Sequence, residues 1–240
     1  MKIAAVDTSG ERLSLALWSP SGLWQKNLRP GLRHDEHVLP VFDALLRRAK
    51  WDLADIDAFA AVTGPGRFTG IRIGITFAGV LSARLKKKAV GVSALDGLAF
   101  QARHRSWLCA ALRASPGEIF FALYAPSSTE PAFPPKWVMA EDLASSPEIK
   151  SLSARSGGPL LLTGPAAAEY APLWQSQMEP KPVLLPAGRR LLQAGSVAQL
   201  AAARLRERRA DALKPFYLKP TKYERLAQNL RPRPLQPVHA

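Results

Sequence analysis

Read for the spacing of its apolar side chains, the chain opens on three short extended segments. "KIAAVD" at 2–7 is apolar up to its last residue, as a strand covered on both faces would be. "RLSLALW" alternates polar and apolar, "LWQKNLR" continues the alternation more weakly, and "TSGE" and "SPSG" supply the turns. These segments predict a β-meander. "HDEHVLPVFDALLRRAK" follows, with Val38, Val41 or Phe42, Leu45 and Ala49 at helical spacing. Asp35 is placed to cap this helix, and Arg47, Arg48 and Lys50 suit its negative end. Pro40 predicts a kink or a later start. "AFAAVT" predicts a fourth strand, "GPGRFTG" a turn, and Thr69 to about Leu85 a helix. "AVGV" predicts a fifth strand, and "SALDGLAFQARHR" a helix whose Ser93 and Asp96 form an acidic variant of the capping box.

From Trp107 the pattern begins again. "WLCAALRA" and "EIFFALYA" flank "SPGE" as a hairpin, and "EPAFPPKW" is a proline-rich loop. "PLLLTGPAAAEYAPLW" predicts a strand and a helix, "VLLP" a short strand, and "SVAQLAAARLRERRA" a final helix with Val197, Leu200, Ala201 and Leu205 in line. No repeat of fixed period is visible. The order predicts an α/β protein of two lobes, each a mixed sheet flanked by helices, over residues 1–105 and 106–215. A basic tail over 216–240 is expected to follow, with room to pack back on the first lobe.

The predicted helix after the glycine turn is apolar on two sides. Ile71, Ile75, Ala78, Leu81 and Leu85 make one stripe, and Ile73, Phe77 and Val80 lie on another. One stripe can cover the parent sheet, while the second asks for a further partner. Gly70, Gly74 and Ala78, four apart, would let a second helix come close.

Charge adds a second question. The formal net charge of +14 suggests a polyanionic partner, nucleic acid above all, or else a solvated basic surface. The excess concentrates in "RLRERRADALKPFYLKPTKYERLAQNLRPRP", with smaller clusters at "LRRAK" and "RLKKK". One cysteine, Cys109, rules out an internal disulfide framework and fits a reducing compartment. The first apolar run is too short for a signal peptide, and no run approaches the roughly 20 apolar residues of a membrane span. A cytoplasmic address with no membrane partner is expected.

Candidate chemistry is sparse. Asp7 ends a buried strand and is followed by Thr8 and Ser9, which could serve a metal-bound water and a phosphate or could simply build a turn. Gly64 and Gly66 would let backbone amides approach an anion, with Thr69 capping the next helix, or would make a tight turn into a closely packed helix. The segment is not a P-loop, because no Gly-Lys-Ser/Thr follows. His34 and His37 lie three apart rather than the four of the helical zinc motif. Cys109, in an apolar strand, reads as a core residue, and no serine sits in a G-x-S-x-G elbow.

Taken in order, "IAAVDTS", "VTGPGRFTGIRIGITFAGVLS", "GVSALDGLA", "GEIFFALY" and "PFYLK" resemble the TsaB (YeaZ) family over most of the chain. The resemblance implies the actin-like ATPase (ribonuclease H-like) fold and a non-catalytic role beside TsaD. With TsaE, these proteins transfer threonylcarbamoyl to the adenosine 3′ of the anticodon in tRNAs that read codons starting with A. TsaD carries the pattern G-V-x-H-x-E-G-H, whose histidines bind its metal, whereas this chain reads "GVSALDGL". Ala94 and Leu98 stand at the two histidine positions and offer no lone pair, while Asp96 and Gly97 keep the intervening pattern. The family usually has Ser where this chain has Arg67, and "DAR" where it has Arg113 to Ser115.

The resemblance further implies pairing with TsaD through the two helices, at Val38, Phe42, Leu45, Gly70, Ile71, Gly74, Ile75, Ala78 and Leu81. It implies a homodimer through the same surface when TsaD is absent, and tRNA contact through the complex. No intrinsic cofactor is expected, with weak nucleotide binding at Asp7, Thr8, Ser9, Gly64 and Gly66 left open. The competing class is an enzyme, either an actin-fold nucleotide-binding ATPase or a metallopeptidase-like one.

Overall fold

The computed structural model describes residues 1–153 and 157–219 of the 240. The first sheet holds β1 (Ile3–Asp7), β2 (Ser14–Ser19), β3 (Gly22–Asn27), β4 (Ala58–Gly64) and β5 (Lys88–Ser93), in the order β3-β2-β1-β4-β5. Helix α1 (His34–Ala49) precedes β4, α2 (Phe68–Leu85) precedes β5, and α3 (Ala94–Ala102) follows it. β2 runs antiparallel to β1 and β3, whereas β4 and β5 run parallel to β1.

The second sheet repeats this plan. β6 (Leu108–Ser115), β7 (Glu118–Tyr124), β8 (Lys136–Met139), β9 (Leu161–Thr163) and β10 (Val183–Leu184) stand in the order β10-β9-β6-β7-β8. β7 is antiparallel to β6 and β8, while β9 and β10 are parallel to β6. Helices α4 (Pro147–Ser153), α5 (Pro165–Gln177) and α6 (Ala194–Arg206) complete the chain order. The repetition reaches the sequence: Thr63-Gly64-Pro65 closes β4 and Thr163-Gly164-Pro165 closes β9, with both glycines at positive φ (117° and 102°). β8 and α4 were not foreseen, since neither has a run of apolar spacing long enough to read.

Two layers cover the first sheet. Ala4, Val6, Leu15, Leu17, Phe59 and Ala61 meet Val38, Phe42 and Leu45 of α1 and Phe77 and Ala78 of α2. The opposite face is floored by small residues, among them Ala5, Ala16, Ala58 and Ala60, and receives both α3 and α6. α6 lies within the residues expected for the second lobe, yet it packs on the first sheet. This is why β2 is buried on both faces despite its alternating pattern: Ser14 Oγ accepts from the Ala194 amide (2.8 Å) and donates to Asn27 Oδ1 (2.6 Å). In the second sheet, Cys109, Ala111, Phe121 and Leu123 pack with Ala167, Ala171 and Trp174 of α5.

Local capping departs from expectation. α1 starts at His34 and α2 at Phe68, with Arg33 and Arg67 as N-caps that make no side-chain cap bond. Asp35 lies inside the first turn, where Arg33 takes its carboxylate at 2.8 Å, and Thr69 is an exposed residue of the α2 helix. Ser93 does precede α3, but its Oγ has no hydrogen-bond partner, and the Asp96 carboxylate turns into the core to Arg204 and Tyr124. Pro40 is carried inside a continuous α1. α1, α2 and α3 all end on a cation in the left-handed conformation: Lys50 (φ 55°), Lys86 (φ 54°) and Arg103 (φ 46°). That geometry costs an L-residue roughly 1–2 kcal/mol, offset by about 0.3–1 kcal/mol from a cation at a helix C-terminus.

By length and composition α2 is apolar enough to cross a membrane, contrary to the expectation that no segment would be. A third of it is buried within the fold, Ile71, Gly74 and Ala78 among the buried residues.

Candidate partner groove and interlobe cleft

The glycines of residues 64–74 are explained by what lies against them. A Cβ at Gly66 would stand 2.5 Å from the Ser9 carbonyl oxygen, and one at Gly70 2.0 Å from that of Thr8. A Cβ at Gly74 would stand 2.6 Å from Thr8 Oγ1. The turn after β1 is therefore pressed directly onto the start of α2. Thr8 Oγ1 donates to the Gly70 carbonyl (2.6 Å), and the Arg67 amide donates to that of Ser9 (2.8 Å). Gly64 is closed off on its other side by the Phe216 carbonyl, 2.5 Å from where a Cβ would be.

Close packing of the turn is one of the two readings open for Gly64 and Gly66, and it accounts for both glycines. The carbonyl oxygens of Phe216 and Ser9 lie against Gly64 and Gly66, that of Thr8 against Gly70. Asp7 is buried, and its Oδ1 accepts from the Ser9 amide (2.9 Å) and Ser9 Oγ (2.7 Å). Burial pushes its carboxyl above the ordinary value, with the Ser9 hydrogen bonds opposing. At the cleft, Arg113 pairs with Glu169 of α5 and stands 3.9 Å from Glu11 after β1. A cation thus bridges the two lobes where the family usually has an aspartate. Ser115 Oγ accepts from Lys219 (2.8 Å).

The positions of the transferase metal ligands are equally closed. Ala94 and Leu98 are buried in the α3 core, and neither carries a donor atom. Asp96 between them is bound by Arg204 of α6 (2.7 Å) and by the Tyr124 hydroxyl of β7 (2.8 Å). Arg204 also pairs with Asp211 (2.8 Å), so one guanidinium ties both lobes to the segment after α6. His34 reaches the Glu11 carbonyl (3.3 Å) and His37 lies beyond it, and the described residues hold no group of three or more His, Cys, Asp or Glu able to share a metal. Cys109 is fully buried, and its thiol is pushed up to about 12 by desolvation, which makes it inert.

The helix pair presents a different surface from the one expected. Val38, Phe42 and Leu45 are buried on the sheet, and Phe42 packs edge-on against Phe77 (5.1 Å between centroids). Gly70, Ile71, Gly74 and Ala78 also face the core, because the Thr8 turn demands the small residues that had suggested a second helix. Of the expected contact residues, Leu81 lines an open groove between α1 and α2, Val38 forms part of its floor, and Ile75 is half-buried. The groove has a volume of about 560 Å³, and its open walls are Leu39, Phe68, Ile73, Thr76 and Val80. Leu39 and Val80 are each 60% exposed and Phe68 46%, a contiguous apolar surface unusual on a single chain.

The other apolar side of α2 is covered by the chain itself. Asp211 bridges to Gly91, the Phe216 amide donates to the Thr63 carbonyl (2.8 Å), and Leu213 lies over Gly79. Tyr217 stacks on Phe68 (5.2 Å), and the Arg72 guanidinium lies 3.9 Å from the Phe68 ring centroid. Residues 211–219 thus form a strap across the first lobe, and residues 220–240 of the predicted basic tail lie outside the described residues.

Two five-stranded sheets of identical order, joined through α3 and α6, define the actin-like ATPase fold. The family model described as "TsaD: tRNA N6-adenosine threonylcarbamoyltransferase" matches residues 31–226, and the chain belongs to that family. The "tRNA threonylcarbamoyladenosine biosynthesis protein TsaB" of Escherichia coli (strain K12) is 35% identical over 127 residues, 52% of this chain and 55% of that protein. The chain thus spans about half the length of the curated relatives it matches. A "tRNA N6-adenosine threonylcarbamoyltransferase" of Erythrobacter litoralis is 33% identical over 70 residues, 29% of this chain and 20% of that protein. Among solved structures, "YeaZ from Pseudomonas aeruginosa" superposes with a TM-score of 0.76 at 26% identity, covering 90% of this chain and 99% of that one.

Proposed function

We propose that this chain is a non-catalytic partner of a TsaD-type transferase in the biosynthesis of threonylcarbamoyladenosine in tRNA. The observation that carries the reading is the α1–α2 groove, an exposed apolar surface on a chain whose α3 holds Ala94 and Leu98, without donor atoms, on the opposite face of the sheet. The chain matches the family model of the transferase, so a transferase carries a helix pair of the same kind, and helix against helix is the simplest occupant. Without it, a second copy of this chain takes the same surface and forms a homodimer. TsaE joins the assembled pair, tRNA is reached through the complex, and the site of work is the cytoplasm. The substrate position is the adenosine 3′ of the anticodon in tRNAs reading codons that start with A.

The test is co-elution of the full chain with a TsaD-type transferase from the same organism. Leu39→Asp combined with Val80→Asp places two carboxylates in the groove at positions exposed enough to leave the fold within about 0.5 kcal/mol each. The double variant should keep its circular dichroism spectrum, run as a monomer and elute apart from the transferase. Continued co-elution of the folded variant would refute the groove as the interface. Gly74→Arg cannot serve here, since its side chain would strike Thr8 in the protein's own core.

A further inference from the structure

Two basic clusters that are far apart in sequence meet at one edge of the first lobe. α1 and α2 lie on the same sheet face and lead into the parallel strands β4 and β5, so both end at the edge where β1 begins. The contacts there confirm the meeting. Lys2 Nζ lies 4.8 Å from the Trp51 ring centroid and 3.3 Å from Asp55. Lys87 Nζ donates to the Ala54 carbonyl (2.9 Å), and Lys88 stands in register with Ala58. Arg48 and Lys50 from the α1 end and Arg84, Lys86 and Lys88 from the α2 end are exposed there. None of these five forms an ion pair among the described residues.

The carboxylates at this edge are already engaged. Asp43 pairs with Arg47, Asp55 with Lys2 and with the Asp52 amide, and Asp57 accepts from the Lys2 amide (2.7 Å). Helix dipoles account for a cation near each helix end, but Lys88 lies in a strand. Packed helices lie about 8–10 Å apart, comparable to the Debye length of about 8–10 Å at 0.10–0.15 M salt, so the fields of the two clusters overlap.

We propose that this edge is a phosphate-binding surface for the backbone of tRNA. The proposal rests on the tRNA-modification reading above, and it places the nucleic acid beside the partner groove, since Leu81 of the groove is followed on α2 by Arg84. RNA fits better than an anionic membrane, because the large apolar side chains that the described residues expose near this edge are Met1 and Leu53, only 38% and 39% exposed.

The test measures binding of a fluorescently labelled tRNA transcript by the full chain from about 50 to about 300 mM KCl. Arg48→Gln, Arg84→Gln and Lys88→Gln are combined, leaving the helix-ending lysines in place. Three lost phosphate contacts should reduce the slope of log affinity against log salt by about 2–3, with affinity at least tenfold weaker at the low-salt end. A control with the same net charge, Lys26→Gln, Arg105→Gln and Lys150→Gln at other exposed positions, should lose less than half as much slope. Equal losses in the two variants, or none in the first, would overturn the proposal. So would unchanged tRNA binding together with lost binding to phosphatidylserine vesicles, which would assign the edge to a membrane. The edge variant should still co-elute with the transferase. Loss of co-elution in the groove variant alone, or its failure to appear, concerns the groove and leaves the salt slope untouched.

Discussion

Helix α2 carries two glycines for which the same substitution should act in opposite directions. At Gly70, alanine would put its Cβ 2.0 Å from the Thr8 carbonyl oxygen, so helix and turn must separate by roughly 1 Å. The turn cannot give cheaply, because the Arg67 amide holds Ser9, and Ser9 in turn holds Asp7. Overpacking of this kind costs about 1–3 kcal/mol, and weakening the Thr8 hydrogen bond to the Gly70 carbonyl adds about 1 kcal/mol. Against this stands a helix-propensity gain of at most about 1 kcal/mol, reduced because Gly70 lies in the first turn. The net is a loss of about 1–3 kcal/mol, or a fall in Tm of roughly 3–10 °C for a chain of this size. At Gly79, in the same helix, the nearest atom to an added Cβ is Leu213 Cδ2 at 3.5 Å, an ordinary contact. Gly79→Ala therefore keeps the propensity gain and should raise Tm by about 2–4 °C. Urea unfolding followed by circular dichroism, together with thermal melts, measures both. A Gly70→Ala protein as stable as wild type would show that the Thr8 turn is not seated on α2, and the account of the glycine segment would fall with it.

Two further outcomes follow from the buried polar groups. Asp7 has its carboxyl pKa raised by burial, so the folded state holds the proton more tightly than the unfolded state, and ionisation lowers stability. That loss is absent below the ordinary value of 3.8 and complete above the raised one, so Asp7→Asn should gain stability over wild type as pH rises through this window. Urea midpoints of the two proteins between about pH 3 and 7 decide it, and a difference independent of pH would refute the assignment. Arg204→Ala would leave Asp96 buried beside Tyr124 without its cation, and the expected loss is about 3–5 kcal/mol. A loss below about 1 kcal/mol in the same urea assay would mean that the Asp96–Arg204 pair does not tie α3 to α6.

Much of the fold was legible as pattern. The unbroken apolar run at β1 announced a strand covered on both faces, "AFAAVT" announced β4, and the helical spacing in α1, α2 and α6 placed those helices within a few residues of where they lie. The candidate site was legible only in part. The excess of apolar positions on α2 asked for more than one covering layer, but the small residues were assigned to the wrong neighbour. Gly70 and Gly74 had suggested a second helix, and it is the turn at Thr8 that needs them. Spacing along one helix reports how many faces are apolar, never which element covers each.

What the sequence by itself determined is what depends on neighbours a few residues away: strand and helix periodicity, the two-residue hairpin turn before β7, and the absence of donor atoms at Ala94 and Leu98. What only the tertiary structure decided is every feature that brings distant segments together. α6 crosses from the second lobe to bury the polar face of β2, and residues 211–219 cover one flank of α2 and leave the other open as a groove. Asp35, Thr69 and Ser93 had the chemistry of caps, and none makes a cap bond. The carboxylates of Asp35 and Asp96 are held by Arg33 and by the distant Arg204 instead. At Asp96 a local hydrogen bond worth about 1 kcal/mol yields readily to such competition, because burying a charge without its partner costs several times more.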